Sequence, residues 1–167
     1  MENLKIKVTK VNENAIMPKF AHDTDSGFDL YVSEDCVINA KSTGAVPTGL
    51  KFELPEGFGI MVRPRSGNTL KGVEGFYEPI VEDTLSILIC KEKHLMDLKV
   101  QIGTIDQDYR GEVRVLTTNN ECCPVKIPKG TKLAQCVIEK VYHADFEIVD
   151  ELSDTKRGEN GFGSTGK

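Results

Sequence analysis

The sequence predicts an all-β domain, and three observations carry that expectation. Short stretches rich in Val and Ile recur along the chain, Gly and Pro punctuate them, and no long segment shows a 3.6-residue apolar period. Residues 4–11 alternate strictly, with Leu4, Ile6 and Val8 against Lys5, Lys7 and Thr9, as a half-buried strand does. Residues 59–63, 99–102, 112–116, 124–128, 133–141 and 146–149 read as further strands. Gly49, Pro55-Glu56-Gly57, Gly111 and Pro128-Lys129-Gly130 mark the turns between them. The one helical candidate is 91–98, KEKHLMDL, which is short and uncapped. No internal repeat is visible. Many short strands of this spacing predict a barrel or sandwich.

The chain has 167 residues, enough for one domain with a sizeable core. Lys and Arg number 21 against 26 Asp and Glu, so the net charge is −5. That balance argues against a nucleic-acid polymer as partner, because such binders carry a positive surplus. Any phosphate must be held by a few local groups. The longest apolar run, residues 85–90, is far too short to span a bilayer, so no membrane partner is expected. Residues 1–10 have no continuous apolar stretch of the signal-peptide kind. The five cysteines are an odd number, with Cys122 and Cys123 adjacent and no CxxC. They read as free thiols in a reducing compartment, hence a cytoplasmic protein. His22, His94 and His143 lie apart from one another and from the cysteines, which disfavours zinc.

Three segments carry chemistry. Residues 153–167, SDTKRGENGFGSTGK, hold a single large apolar side chain, Phe162, among glycines. Alone, such a segment cannot offset its ordering entropy. Its Gly161–Gly166 stretch matches G-x-G-x-x-G, but a dinucleotide site needs a helix after it and only Lys167 follows. What remains is a small-residue loop able to wrap phosphate oxygens, with Arg157 as a charged fork. Asp106-Gln107-Asp108-Tyr109-Arg110-Gly111 opens like a calcium loop, yet Arg110 stands at its fifth position and Thr117 at its twelfth, where Glu is required. Arg63-Pro64-Arg65-Ser66-Gly67 follows an apolar strand and reads either as a plain turn or as an anion-binding one.

Taken together, these segments resemble the trimeric dUTP diphosphatases (dUTPases) in five ordered motifs. They are Asp25-Ser26-Gly27-Phe28-Asp29-Leu30; Pro64-Arg65-Ser66-Gly67 with Lys71 downstream; Gly103 through Glu112, GTIDQDYRGE; Lys129 through Gln135, KGTKLAQ; and Arg157 through Gly166, RGENGFGSTG. The resemblance implies a jelly-roll-like distorted β-barrel of the β-clip kind, assembled as a homotrimer with active sites between subunits. It implies hydrolysis of dUTP to dUMP and pyrophosphate with Mg2+. Asp106 would be the general base for the attacking water. Tyr109 would pack on the deoxyribose. Arg65, Ser66, Gly67 and Gln135 would hold phosphate oxygens, and Asp29 would orient the metal through its water shell. The backbone of Val100 through Ile105, including Gly103 and Thr104, would pair with the uracil edge. Arg157, Gly163, Ser164 and Thr165 would close on the γ-phosphate while Phe162 stacks over uracil.

The match departs from the family at four places, one of them Gly72 after Lys71, where His-Gly is usual. Asn68-Thr69 stand where Leu-Ala is usual. Val100 stands where many members have Asn. Arg65 and Asp106 lie 41 positions apart, so that roughly twenty extra residues, more than a typical connection, fall at about 75–98. The expected organisation is a β-barrel domain at 1–152 carrying this insertion, followed by a flexible C-terminal arm at 153–167. The insertion is expected to form a hairpin or a strand with a short helix, and it offers a surface for a protein partner. A dCTP deaminase shares the fold, but its catalytic Glu, ten residues after the aligned Asp, is replaced here by Leu116.

Overall fold

The structure is a computed structural model that describes residues 4–79 and 92–160. Its central sheet is built on β13 (Lys132–Lys140), which pairs antiparallel with β6 (Phe58–Pro64) on one side and β2 (Gly27–Tyr31) on the other. β10 (Gly103–Ile105) adds to the free edge of β6, giving the order β10-β6-β13-β2. Strand alternation sorts the two faces. Phe28, Leu30, Ile60, Val62, Ala134 and Cys136 are buried. Asp29, Met61, Arg63 and Gln135 occupy the intervening positions and face the other way. The approach of β2 to β13 is close enough that a Cβ at Gly27 would lie 2.9 Å from the Cys136 carbonyl oxygen, so glycine is required there.

Three further antiparallel sheets enclose the core. β1 (Lys7–Lys10) pairs with β5 (Leu50–Glu53). β4 (Thr43–Pro47), β11 (Arg114–Asn119) and β9 (Leu98–Val100) form the second. β3 (Cys36–Ile38), β12 (Val125–Ile127), β7 (Val73–Tyr77) and β8 (His94–Met96) form the third. Leu30, Leu50, Ile60, Met96, Ile127 and Leu133 are the largest fully buried side chains. Asn119 is buried, and its Nδ2 donates to the Ile38, Asn39 and Cys123 carbonyls at 3.0, 3.1 and 3.0 Å, joining two of these sheets.

The all-β expectation holds. The single described helix, α1 (Ser66–Lys71), buries no residue. It is tied down instead by polar contacts. Thr69 Oγ1 donates to the Arg65 carbonyl at 3.0 Å, and Asn68 Nδ2 reaches the first residues of β13.

Two expectations are corrected. Of the helical candidate at 91–98, the described residues 92–98 are not helical: β8 and β9 run from His94 to Met96 and from Leu98 to Val100. Met96, Leu98 and Val100 are buried at every second position, a strand period. Residues 146–149 form no strand and pair with no described strand, and Phe146 and Ile148 are 95% and 99% exposed. At the expected insertion, β7 and β8 pair with each other in the register Val73↔Met96 and Gly75↔His94. Residues 80–91 lie outside the described residues. Among the described residues, no helix is long and apolar enough to cross a membrane.

Candidate active site

The register of the central sheet sets Asp29, Gln135 and Arg63 in one cross-strand row on its open face. Arg65 follows directly on Pro64 at the end of β6 and turns back to this row. Its Nε donates to Asp29 Oδ1 at 2.7 Å, while Lys132 Nζ pairs with Asp29 Oδ2 at 2.9 Å. The Asp29 side chain is only 13% exposed. That burial alone would raise its pKa. The hydrogen bonds and charges of Lys132 and Arg65 outweigh it and hold the carboxyl below the ordinary aspartate value. Gln135 donates through Nε2 to the Pro64 carbonyl at 3.3 Å, so motif residues from three strands and one turn are held together.

Asp25, Ser26, Gly27, Asp29, Arg63, Arg65 and Gln135 line one open cleft. A neighbouring depression is lined by Arg65, Gly67, Lys71 and Lys132. Ser66 is exposed as the first residue of α1. A Cβ at Gly67 would meet nothing within 4 Å, so no part of this chain requires glycine there.

Asp106 and Tyr109 form a separate locus. Asp106 follows β10, and the Tyr109 N–H donates to the Asp106 carbonyl at 3.1 Å, closing a turn. Tyr109 Oη donates to the Glu112 carbonyl at 3.0 Å. Arg110 braces the turn by donating to the Gln107 carbonyl at 2.6 Å. Thr104, Ile105, Asp106 and Tyr109 line a third depression with Glu112, Arg114 and Leu116. Gly103 lies at its approach, paired with Val62.

The chain does not bring these two loci together. Ile105 pairs with Ile60, whereas Arg65 lies five extended residues further along β6. At ~3.3 Å per residue that is about 16 Å, and Asp106 lies one residue beyond Ile105 on the far side. Val100 stands apart from both loci. Its side chain is in the core, 5% exposed, and its backbone pairs with Thr117 in a different sheet. Arg157 is exposed and donates through Nε to the Asn160 carbonyl at 2.9 Å. Phe162, Gly163, Ser164 and Thr165 lie outside the described residues. The sequence points to Arg63 only as part of the Arg63–Gly67 turn, although its cross-strand neighbour Gln135, and Asp29 beyond it, are candidate site residues.

An all-antiparallel β scaffold, a carboxylate bridged by two cations and an open glycine beside them define a protein equipped to hold an anionic ligand. The dUTPase family model matches residues 13–84 and 89–166, and the chain belongs to the dUTPase family. The deoxyuridine 5'-triphosphate nucleotidohydrolase of Gloeothece citriformis is 40% identical over 163 residues, spanning 98% of this chain and 97% of its own. That of Clostridioides difficile is 39% identical over 166 residues, spanning 99% of each. Among solved structures, the dUTPase of Staphylococcus bacteriophage 80alpha, determined with dUpNHpp, shares the fold with a TM-score of 0.77 at 24% identity, covering 98% of this chain and 99% of that one. A mutant dUTPase of phage phi11 superposes with a TM-score of 0.68 at 22% identity over 88% of this chain and 97% of its own; that protein coordinates a structural Mg(II) ion.

Proposed function

We infer that the chain is a dUTP diphosphatase, converting dUTP and water to dUMP and pyrophosphate through a site divided between copies of the chain. Family membership and whole-chain relatives near 40% identity support the reaction. The observation that supports the divided site is the separation of Asp106 and Arg65 toward opposite ends of β6. A single chain cannot apply both to one phosphorus atom, whereas the Asp106 locus of one copy can face the Arg65 cleft of another. The family's homotrimer supplies that arrangement.

In this mechanism the Asp106 carboxylate orients a water and takes its proton as the water oxygen bonds to the α-phosphorus. The bond from that phosphorus to the bridging oxygen breaks, and pyrophosphate leaves. Arg65, Ser66, Gly67 and Gln135 hold the phosphate oxygens and stabilise the developing charge. Tyr109 packs on the deoxyribose, leaving no room for a 2′-hydroxyl. The backbone of Gly103 through Ile105 reads the uracil edge, and Val100, buried and paired with Thr117, takes no part in it. The arm residues Arg157, Phe162, Gly163, Ser164 and Thr165 close over the triphosphate and base.

Mg2+ fits this site. Among the described residues, no group of three or more His, Cys, Asp or Glu is arranged to cage an ion. Mg2+ instead suits a cleft with one or two carboxylates in which substrate phosphates and waters complete the shell. Each Asp29 oxygen already accepts one cation and retains a lone pair for a metal-bound water. When bound, the ion neutralises charge on the triphosphate.

Deamination is disfavoured by Leu116, an apolar side chain beside Asp106 that can carry no proton. A cytoplasmic location is in keeping with the odd cysteine count and the lack of a CxxC spacing in the sequence. No partner is assigned to residues 80–91. The test is pyrophosphate release from dUTP with Mg2+, compared with UTP and dCTP. Release from dUTP alone is expected. No release from dUTP, or ammonia from dCTP, would overturn the assignment.

A further inference from the structure

We propose that Lys132, a residue with no assigned role, is a positioning residue of the phosphate cleft: it fixes Asp29 and Arg65 in place and presents a second cation to the triphosphate chain. This rests on the dUTPase reading above.

The pairing of β13 with β2 is irregular between Lys132 and Ala134. Ala134 pairs with Leu30, so a regular antiparallel ladder would set Lys132 opposite Val32, on the buried face. The observed partner is Tyr31, one residue earlier. A one-residue shift turns a side chain to the opposite face of a sheet, and bulges commonly re-aim side chains beside active sites. Leu133 and Ala134 are accordingly buried in succession, and Lys132 emerges on the face of Asp29.

Lys132 is then held at both ends. Asn68 Nδ2 donates to its carbonyl at 2.9 Å and to the Leu133 carbonyl at 3.1 Å. Its Nζ reaches Asp29 at 2.9 Å and lies 5.6 Å from the centroid of the Tyr31 ring. Asn68 is one of the residues that depart from the family pattern, and this contact gives it a use: it ties the phosphate-binding turn to the start of β13.

With Lys132 on one oxygen and Arg65 on the other, Asp29 is a bridge that fixes two cations at a set separation. Arg65 uses only Nε in this bridge, and no hydrogen bond from its Nη groups to a described residue is seen. Arg65, Lys132 and Lys71 line the same depression beside Gly67. Its one acidic side chain, Glu74, is tied to Lys93 at 2.9 Å. The surplus charge is suited to a chain of phosphates.

The test uses the full-length chain with Lys132→Met, Lys132→Gln and Lys132→Arg. Three quantities are read: kcat and KM for dUTP, binding of a non-hydrolysable imido analogue of dUTP against dUMP, and the thermal midpoint. Lys132→Met is expected to lose about 10- to 100-fold in kcat/KM. It should weaken the triphosphate analogue while leaving dUMP binding unchanged, and Lys132→Arg should restore most of the loss. Lys132→Gln keeps the stem and a hydrogen-bonding end, so it must show the same loss if charge is the cause. Wild-type rates in Lys132→Met and Lys132→Gln would overturn the proposal, as would equal weakening of dUMP and the analogue. Absence of turnover in the wild type would instead overturn the enzymatic reading itself.

Discussion

The Tyr109 ring lies directly against Gly111: a Cβ at Gly111 would fall 2.3 Å from the phenol oxygen and 2.4 Å from Cζ. The glycine therefore sets where the ring sits, and the Glu112 carbonyl holds its hydroxyl. Tyr109 is 44% exposed, so moving it outward breaks one hydrogen bond and disturbs no core packing. Gly111→Ala should displace the ring at little cost to folding. The expected outcome is a nearly unchanged thermal midpoint, a fall of about tenfold or more in kcat/KM for dUTP, and a narrowed preference over UTP. Steady-state kinetics with both nucleotides check this. Full selectivity in the variant would show that the ring does not guard the sugar.

Gly67 presents the opposite case. Nothing in the chain lies within 4 Å of its missing side chain. Ala at this helical position should hold or raise stability, by about 0.5–1 kcal/mol at most. A phosphate approaching the backbone would nevertheless meet the added methyl. Gly67→Ala is expected to keep its melting temperature and lose nucleotide affinity, measured by calorimetric titration with the imido analogue. Unchanged affinity would remove Gly67 from the binding surface.

Asp29 links the cleft to stability. Its carboxyl is held below the ordinary value of 3.8, because the Lys132 and Arg65 interactions outweigh the cost of burial. A depressed folded-state pKa contributes stability above the unfolded value, which is lost as pH falls through the folded one. The stability difference between wild type and Asp29→Asn should be full at neutral pH and shrink toward zero as pH drops below about 3.8. Asp35 is also lowered, by the Lys129 backbone N–H and by Lys126, so variant and wild type must be compared at each pH. Urea unfolding at pH 7, 4 and 3 measures the difference. A constant difference across that range would contradict the ion-pair bridge.

The thiols should report the packing of the central sheet. Burial pushes Cys136 up to about 12. Burial, with Glu34 and Asp35 nearby, pushes Cys36 up to about 11. Cys122 is exposed. Since the thiolate is the reactive form, iodoacetamide at pH 8 should label Cys122 in the native protein and spare Cys36 and Cys136. Peptide mass mapping reads the result. Labelling of Cys136 at the rate of Cys122 would show that β13 is not packed as described.

The strands legible in the sequence were those whose own Val and Ile pattern decides their fate, such as β6 and β13. β2 was missed because Gly27 and Asp29 interrupt it. Its strand identity comes from pairing with β13, and Asp29 is tolerated because two cations meet it. α1 was missed for a related reason: it buries no residue, and it is held by a local bond from Thr69 to the Arg65 carbonyl and by Asn68 donating to the distant backbone of Lys132. The apolar residues 146–149 look like a strand in isolation, but a strand needs an edge to pair with. The motifs named Asp29, Arg65, Asp106 and Gln135 as candidate site residues. Lys132 lies inside the fourth motif but drew no role from it, because its direction depends on a one-residue irregularity in strand pairing that no local pattern encodes. The motifs also could not show that Asp106 and Arg65 lie toward opposite ends of β6, since that follows from the register of β10.

That separation makes the most direct measurement a complementation assay. Chains carrying Asp106→Asn and chains carrying Arg65→Ala are each expected to be inactive alone. Co-expressed in equal amounts and purified together without separating the assemblies, they should regain about a quarter of wild-type pyrophosphate release from dUTP, because random pairing leaves one site in four with both residues intact. Mixed assemblies as inactive as either parent would place both residues in one chain's site and contradict the divided-site mechanism.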